Sequence, residues 1–362
     1  MTKIFEPFPL GALTLQNRVV MAPMTRSRAI DNIPNNLMAE YYAQRGDAGL
    51  IITEGTAPSP NGLGYARIPG LFSDEQVAGW KTVTDAVHAK GAKIFAQIMH
   101  TGRVSHPENM ADDAEIVAPS ALALEGQMYT DSQGMQDYPV PRAMTLEDIK
   151  QAQQEFVQAA KNAIEAGFDG VEIHAANGYL LDQFLNPASN QRTDAYGGNA
   201  QNRARFVLEV VERVVAAIGS EKTGIRLSPY GVFNGMTNFE GLEAAFVDLA
   251  AELGKHHLVY LHLVDHEAMG APAVGEPIKA KMRAAFNGNV IASGGLDKAK
   301  SEQLLSEGKA ELFAFGRDFL STPDLVHRLA HDLPLNAPDF ETFYTPGEKG
   351  YTDYPTAAVA LA

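Results

Sequence analysis

The stretches Asn289-Val-Ile-Ala-Ser-Gly-Gly295 and Leu312-Phe-Ala-Phe-Gly-Arg-Asp318 decide the fold. Each is a short apolar run that ends in glycine, as expected of parallel strands covered on both faces. Working back along the chain, six more segments read the same way: Val19–Met24, Gly49–Thr56, Ala92–His100, Gly170–Ala176, Gly224–Pro229 and Tyr260–Asp265. Amphipathic helical patterns lie between them. Val77, Trp80, Val83 and Val87 share a face, with Ser73 and Gln76 spaced as a capping box. Ile149, Ala152, Phe156, Ala160 and Ile164 form a second stripe after Thr145-Leu-Glu-Asp148, and Phe206, Val210, Val214 and Ile218 a third. Eight strands alternating with helices predict an α/β protein, a (β/α)8 TIM barrel; a doubly wound open sheet is the alternative.

Three segments depart from that rhythm. Residues 8–18 read as an N-terminal hairpin that floors the barrel. Residues 101–144 separate the third strand from the next helix and carry Pro107, Pro119, Pro139 and Pro141, so they read as a cap over the site. Residues 332–362 form a tail with Pro and Tyr. No linker interrupts the chain, and the expected organisation is a single domain over 1–362.

The bulk numbers narrow the function. The chain has 362 residues, 45% hydrophobic and 20% charged, enough for a full core. A net charge of −15 repels phosphate backbones and anionic membranes, so neither nucleic acid nor a membrane surface is an expected partner. There is no Cys, which removes disulfides, thiolate catalysis and Cys-held metals from consideration. The start, Met1-Thr-Lys-Ile-Phe-Glu-Pro7, has no signal-peptide core, and no apolar run approaches the roughly 18 residues needed to span a bilayer. The expected location is the cytoplasm.

Barrel enzymes place their chemistry at the C-terminal ends of the strands. In order, those ends supply Pro23-Met24-Thr25, Thr53-Glu54-Gly55-Thr56, Gln97-Ile-Met99-His100, His174-Ala-Ala-Asn177-Gly-Tyr179, Arg226-Leu-Ser-Pro229, His262-Leu-Val-Asp265, Ser293-Gly294-Gly295 and Phe315-Gly316-Arg317. Gly294, Gly295 and Gly316 let backbone N–H groups approach a phosphate, and Arg317 adds a forked cation. The bland reading is tight turns. His174 and Asn177 are placed to donate to one oxygen while Tyr179 delivers a proton, against a bland reading of a satisfied core His with a packing Tyr. Arg226 on an apolar strand needs an anionic or accepting partner, either a ligand or Glu54 or Glu172. Gln97 must satisfy both a donor and an acceptor. His262 and His266 flank Asp265, but no third ligand is evident, so no metal is expected. No Gly-x-Gly-x-x-Gly follows a strand, which leaves a Rossmann dinucleotide site unsupported.

Ala22-Pro-Met-Thr-Arg26, Gln97-Ile-Met-His-Thr-Gly-Arg103, His174-Ala-Ala-Asn-Gly-Tyr179-Leu-Leu-Asp-Gln-Phe-Leu and Asn190-Gln-Arg-Thr-Asp194-Ala-Tyr-Gly-Gly-Asn-Ala-Gln-Asn202-Arg203 together resemble the Old Yellow Enzyme family. The resemblance covers essentially the whole chain and is nearest to the branch of the bacterial N-ethylmaleimide and pentaerythritol tetranitrate reductases. Phe343-Tyr344 and Gly350-Tyr-Thr-Asp-Tyr-Pro355 fit that branch too. It implies a tightly bound, non-covalent FMN and an ene-reductase activity. Pro23, Met24, Thr25, Gly55, Gln97 and Arg226 would then border the flavin ring, and Gly294, Gly295, Gly316 and Arg317 its phosphate. His174 and Asn177 would bind the substrate oxygen and Tyr179 would be the proton donor. Thr25, Tyr65, Met99 and Tyr344 would line the substrate pocket. Hydride from NADPH or NADH would pass by way of flavin N5 to the β-carbon of an enone, maleimide or nitro-olefin, with nitrate esters as further acceptors. Relatives in that branch carry Trp where this chain has Met99, which predicts a roomier pocket. A monomer or weak oligomer is expected from the same resemblance. Two other readings are a barrel lyase or isomerase acting on a phosphorylated substrate, and a flavin- or phenol-binding protein with slow turnover. The first usually needs a catalytic Lys or paired carboxylates inside the barrel, and no strand end supplies a Lys.

Overall fold

The computed structural model describes residues 3–357. Eight parallel strands close on themselves: β1 (Val19–Met21), β2 (Leu50–Ile52), β3 (Lys93–Ile98), β4 (Gly170–Ala175), β5 (Thr223–Leu227), β6 (Tyr260–Val264), β7 (Val290–Ser293) and β8 (Leu312–Phe315). They follow one another around the ring in chain order, and β8 pairs with β1 through Phe313↔Val19 and Phe315↔Met21. This is the expected (β/α)8 barrel, and the closed ring excludes the open doubly wound sheet.

The helices are α1 (Asn36–Gln44), α2 (Asp74–His88), α3 (Leu146–Glu165), α4 (Leu180–Leu185), α5 (Ala200–Ile218), α6 (Leu242–Gly254), α7 (Glu276–Phe286), α8 (Lys298–Ser306), α9 (Arg317–Ser321) and α10 (Leu325–Ala330). Their starts are chemically specified. Ser73 with Gln76 opens α2 and Thr145 with Asp148 opens α3, each as a reciprocal capping box that satisfies otherwise unpaired N–H groups. Trp80, Val83 and Val87 on α2, and Ile149, Ala152, Phe156 and Ala160 on α3, are buried against the outside of the barrel.

Alternation along each strand divides the barrel into two cores. On β3 to β6, Ile94, Ala96, Ile98, Val171, Ile173, Ile225, Leu227, Leu261 and Leu263 face the helices. The opposite positions face the axis. Their lower layer is apolar: Val20, Leu50, Phe95, Tyr260, Ile291 and Leu312 pack on Leu10 and Leu15 of an antiparallel hairpin, Phe8–Leu10 with Leu13–Leu15. That hairpin is the expected floor. The upper layer is polar, with Gln97, Glu172, His174, Arg226 and His262 all buried.

Residues 101–144 carry their own small structure after β3. Gln127–Thr130 pairs antiparallel with Gly134–Asp137, and Val117–Ala118 pairs parallel with Arg142–Ala143. The expected tail runs into residues 358–362, which lie outside the described residues.

The strand ends correct the sequence reading. β1 stops at Met21, β2 at Ile52 and β8 at Phe315, short of Met24, Thr56 and Asp318. Pro23 has no N–H to give a ladder. Gly316, at φ −98° and ψ −88°, leaves the strand and caps α9, so Arg317 starts a helix rather than ending a strand. The ends after β1 and β8 therefore leave the regular ladder, whereas Thr56 stays tied to β3 by a bridge to Ile98, its N–H donating to the Gln97 carbonyl at 2.9 Å.

Candidate active site

His174, on β4, is 2% exposed and points into the polar layer; its Nδ1 is sealed from solvent with no partner. Beyond β4 the backbone reverses through Asn177 and Gly178, at φ +60° and +75°. Asn is among the residues that tolerate this left-handed turn. Three contacts hold it. Asn177 donates its N–H to Ser228 Oγ at 2.8 Å, Gly178 donates its N–H to Asp182 Oδ2 at 2.8 Å, and Asn234 Nδ2 donates to the Asn177 carbonyl at 2.7 Å. Asn177 Oδ1 is buried without a partner. Burial pushes the Asp182 carboxyl up to about 7, against the pull of the Gly178 N–H and the Ser228 hydroxyl.

Tyr179 caps α4, and its hydroxyl lies 3.0 Å from that of Tyr65, with the His174 ring 5.2 Å away centroid to centroid. Burial pushes the Tyr179 phenol up to about 12; the Tyr65 hydrogen bond and Arg226 pull it down, while Tyr344 and Tyr138 push it further up. Burial lowers His174 well below its ordinary value, and the positive fields of Arg226, His262 and His266 act the same way. At neutral pH the pair is therefore an uncharged imidazole, with one N–H to give, beside an intact phenol.

Beneath them, Glu172 is fully buried. It accepts from Gln97 Nε2 at 2.8 Å and pairs with His262 Nδ1 at 2.8 Å. Burial alone would raise its pKa, but His262, Arg226 and Gln97 together outweigh that and hold it below the ordinary value. Arg226 stands in register between His174 on β4 and His262 on β6, and its Nε has no partner. Glu54, the other partner weighed for Arg226, is engaged elsewhere: it accepts from the Arg26 N–H at 3.3 Å and from the Tyr42 hydroxyl at 3.3 Å.

Across the ring, Pro23, Met24 and Thr25 are half-buried after β1. A Cβ at Gly316 would come 3.6 Å from Met24 Sδ, so the ends of β1 and β8 adjoin. A Cβ at Gly294, φ +117°, would overlap the Asp265 carbonyl oxygen, and one at Gly55 would overlap the Met99 thioether. Glycine is required at Gly294, where the clash is with backbone and φ is positive, whereas at Gly55 the flexible Met99 side chain could give way. Gly295 and Arg317 are exposed, with the Arg317 guanidinium 5.7 Å from the Phe340 ring. Met99 is buried with Ala57, Leu63 and Ile68, and Tyr65 and Tyr179 pack against this group. Tyr344 is largely exposed, and its carbonyl accepts from Arg67 at 2.8 Å. Arg67 also pairs with Asp131 of the insertion hairpin, so tail, insertion and the loop after β2 meet at the mouth.

Among the described residues no group of three or more His, Asp or Glu is arranged to hold a metal ion, and no helix is long and apolar enough to cross a membrane. A cleft of about 520 Å³ opens between α7 and α8 and reaches Asp265 after β6 and Gly294 after β7. Its Lys279, Arg283 and Lys309 are tied to Asp265, Glu311 and Glu276.

The predicted residues fall into two groups on opposite rims. His174, Asn177 and Tyr179 come together after β4, and the glycines with Arg317 after β7 and β8. A ligand using both must lie across the mouth, with an anion at one end and a polar flat group above Gln97 and Arg226. FMN has that form, and the partnerless Arg226 Nε and the backbone opened by Gly294 suit it. Sequence reading does not single out the residues that hold the turn at Asn177 (Asp182, Ser228, Asn234) as a unit. Asp182 in Leu180-Leu-Asp-Gln-Phe-Leu185, a carboxylate in a buried apolar turn, was the available signal.

Fold and mouth together define a β/α-barrel protein whose rim suits a long, phosphorylated ligand. The chain belongs to the NADH:flavin oxidoreductase / NADH oxidase family, whose pattern matches residues 3–336. It is 42% identical over 359 residues to 12-oxophytodienoate reductase 1 of Oryza sativa subsp. japonica, covering 97% of this chain and 92% of that protein. It is 42% identical over 357 residues to a "probable flavin mononucleotide-dependent alkene reductase" of Leishmania infantum, covering 97% of each. Morphinone reductase superposes with a TM-score of 0.95 at 44% identity, over 99% of this chain and 97% of that one, and has also been solved with tetrahydroNAD. This membership replaces the lyase or isomerase reading with a flavin oxidoreductase.

Proposed function

We propose that this protein is an FMN-dependent ene-reductase that uses a reduced nicotinamide to saturate carbon–carbon double bonds activated by a carbonyl, imide or nitro group, with nitrate esters as further acceptors. The observation that carries the reading is the trio after β4. Among the described residues, His174 Nδ1 and the Asn177 amide have no partner, the amide nitrogen being the end that can donate, and an un-ionised Tyr179 phenol stands beside them. Relatives with alkene-reductase names, similar over nearly the full length, support it.

Bound FMN supplies what no side chain here can, acceptance of hydride from the nicotinamide and its delivery to the substrate β-carbon. The chain's own part is positioning and charge. His174 and Asn177 donate to the substrate oxygen, and those bonds strengthen as negative charge collects there; each such donor is worth roughly 10²–10³ in rate. Tyr179 gives its proton to the α-carbon. Pro23, Met24, Thr25, Gly55, Gln97 and Arg226 hold the cofactor ring, and Gly294, Gly295, Gly316 and Arg317 hold its phosphate. Thr25, Tyr65, Met99 and Tyr344 line the space for substrate. NADPH is proposed over NADH, the cytoplasm as location, and a monomer or weak oligomer as the working form.

The test is the visible spectrum of the purified protein, before and after anaerobic NADPH and again after 2-cyclohexenone. A yellow spectrum that bleaches and then recovers establishes cofactor, donor and reaction class together. A colourless protein that takes up no FMN overturns the reading.

A further inference from the structure

We infer that Glu172 is a positioning residue: it fixes which end of the Gln97 amide faces the cofactor, and it supplies the negative charge that partly offsets Arg226 beneath the ring. The inference rests on the FMN reading above.

An ionised carboxylate can only accept hydrogen bonds. Both Glu172 oxygens are committed, Oε1 to Gln97 Nε2 at 2.8 Å and Oε2 to His262 Nδ1 at 2.8 Å. Turning the Gln97 amide over would set oxygen against oxygen and leave the carboxylate short of a donor at a site with no access to water. The amide nitrogen is therefore committed inward. Among the described residues no donor reaches Gln97 Oε1, and the atom is not sealed from solvent, so it is offered to the mouth as an acceptor. An acceptor there selects a ligand edge that presents N–H, as the imide edge of a flavin does.

The second consequence is electrostatic. Glu172 attracts Arg226 across adjacent strands without a direct ion pair, and the Arg226 Nε keeps its donor free. The field of Arg226 on anything above it is thus damped but not cancelled. Removing the carboxylate charge leaves the full cation under a ring that gains negative charge on reduction, so reduction becomes easier.

The experiment uses holoenzyme with Glu172→Gln, Glu172→Asp, Gln97→Ala and the Gln97→Ala/Glu172→Gln double variant. Release of FMN on dilution is read by recovery of its fluorescence, and the midpoint potential by dye equilibration. Glu172→Gln permits both amide orientations and removes the charge. FMN release is expected to speed up about tenfold, and the reduction equilibrium to move about tenfold toward the reduced form, ~30 mV for two electrons. In the Gln97→Ala background the same change is expected to leave release unaltered but still raise the potential, because that effect runs through Arg226. Glu172→Asp keeps the charge while withdrawing the carboxylate, so release quickens and the potential holds. Equal effects of Glu172→Gln on release with and without Gln97, or an unmoved potential, overturn the inference. Should Glu172→Gln fail to fold, the Asp variant decides alone: unchanged release overturns it. A wild-type protein without FMN would instead sink the proposed function, whereas an active yellow wild type with an inert Glu172→Gln would sink only this inference.

Discussion

Tyr179 keeps its proton because burial outweighs the phenolate-stabilising pull of the Tyr65 hydroxyl and Arg226. The acid form is the useful one. It is present below the folded pKa and lost only as pH rises through about 12. Alkene reduction should therefore show no alkaline decline from this group up to about pH 10, beyond which the ordinary tyrosine range begins. Tyr179→Phe should slow reoxidation by an enone by roughly 10²–10⁴ while bleaching by NADPH persists, as stopped-flow absorbance would record. An unaffected enone rate would reassign the acid. Met99 poses a different question at the same scale. Its thioether lies against the α-carbon of Gly55 and fills the space there flexibly. Met99→Trp should lower the rate for bulky relative to small alkenes, and unchanged relative rates would remove Met99 from the specificity set.

Among the elements, helix starts were legible because they are local. The Thr145 Oγ1 accepts the Asp148 N–H at 3.1 Å, and Asp148 Oδ2 accepts the Thr145 N–H at 2.7 Å, both within one turn of chain. Thr145→Ala removes one half of that exchange and should cost about 1 kcal/mol, read as a lower urea midpoint at unchanged slope. Strand ends were less legible. Asp318 and Met24 read as strand because apolar runs lead into them, yet regular pairing stops at Phe315 and Met21. A ladder ends where the neighbouring strand stops offering partners, and no single strand's composition reports that.

Across the whole molecule, the tail is held by buried cations. Arg28 donates to the carbonyls of Thr342, Phe343 and Lys349 at 2.8, 2.8 and 3.1 Å, and Arg26 donates to that of Gly350 at 2.7 Å. Tyr41 and Tyr351 stack beside them, 4.0 Å between ring centroids. This clamp brings Tyr344 to the mouth. Arg28→Met keeps most of the volume but strands several carbonyls, so it should destabilise the tail by ~2–4 kcal/mol. Faster limited proteolysis within 340–351 and a raised KM for alkene are expected, with the FMN spectrum intact. A tail equally resistant in the variant would assign the clamp no such role.

The sequence by itself determined the barrel, its floor, the capped helices and the residue types along the rim, because strand alternation, helical stripes and caps act over a few residues. It also offered Arg226 a choice of Glu54 or Glu172 without deciding between them. Only the tertiary structure decided that Glu172 sits beside Arg226 and takes the Gln97 amide, 75 residues away, and that Arg28 takes the carbonyl of Thr342, 314 residues away. A buried charge or amide settles on whichever complementary group the closed ring brings within hydrogen-bond reach, and that distance does not exist until the ring has closed.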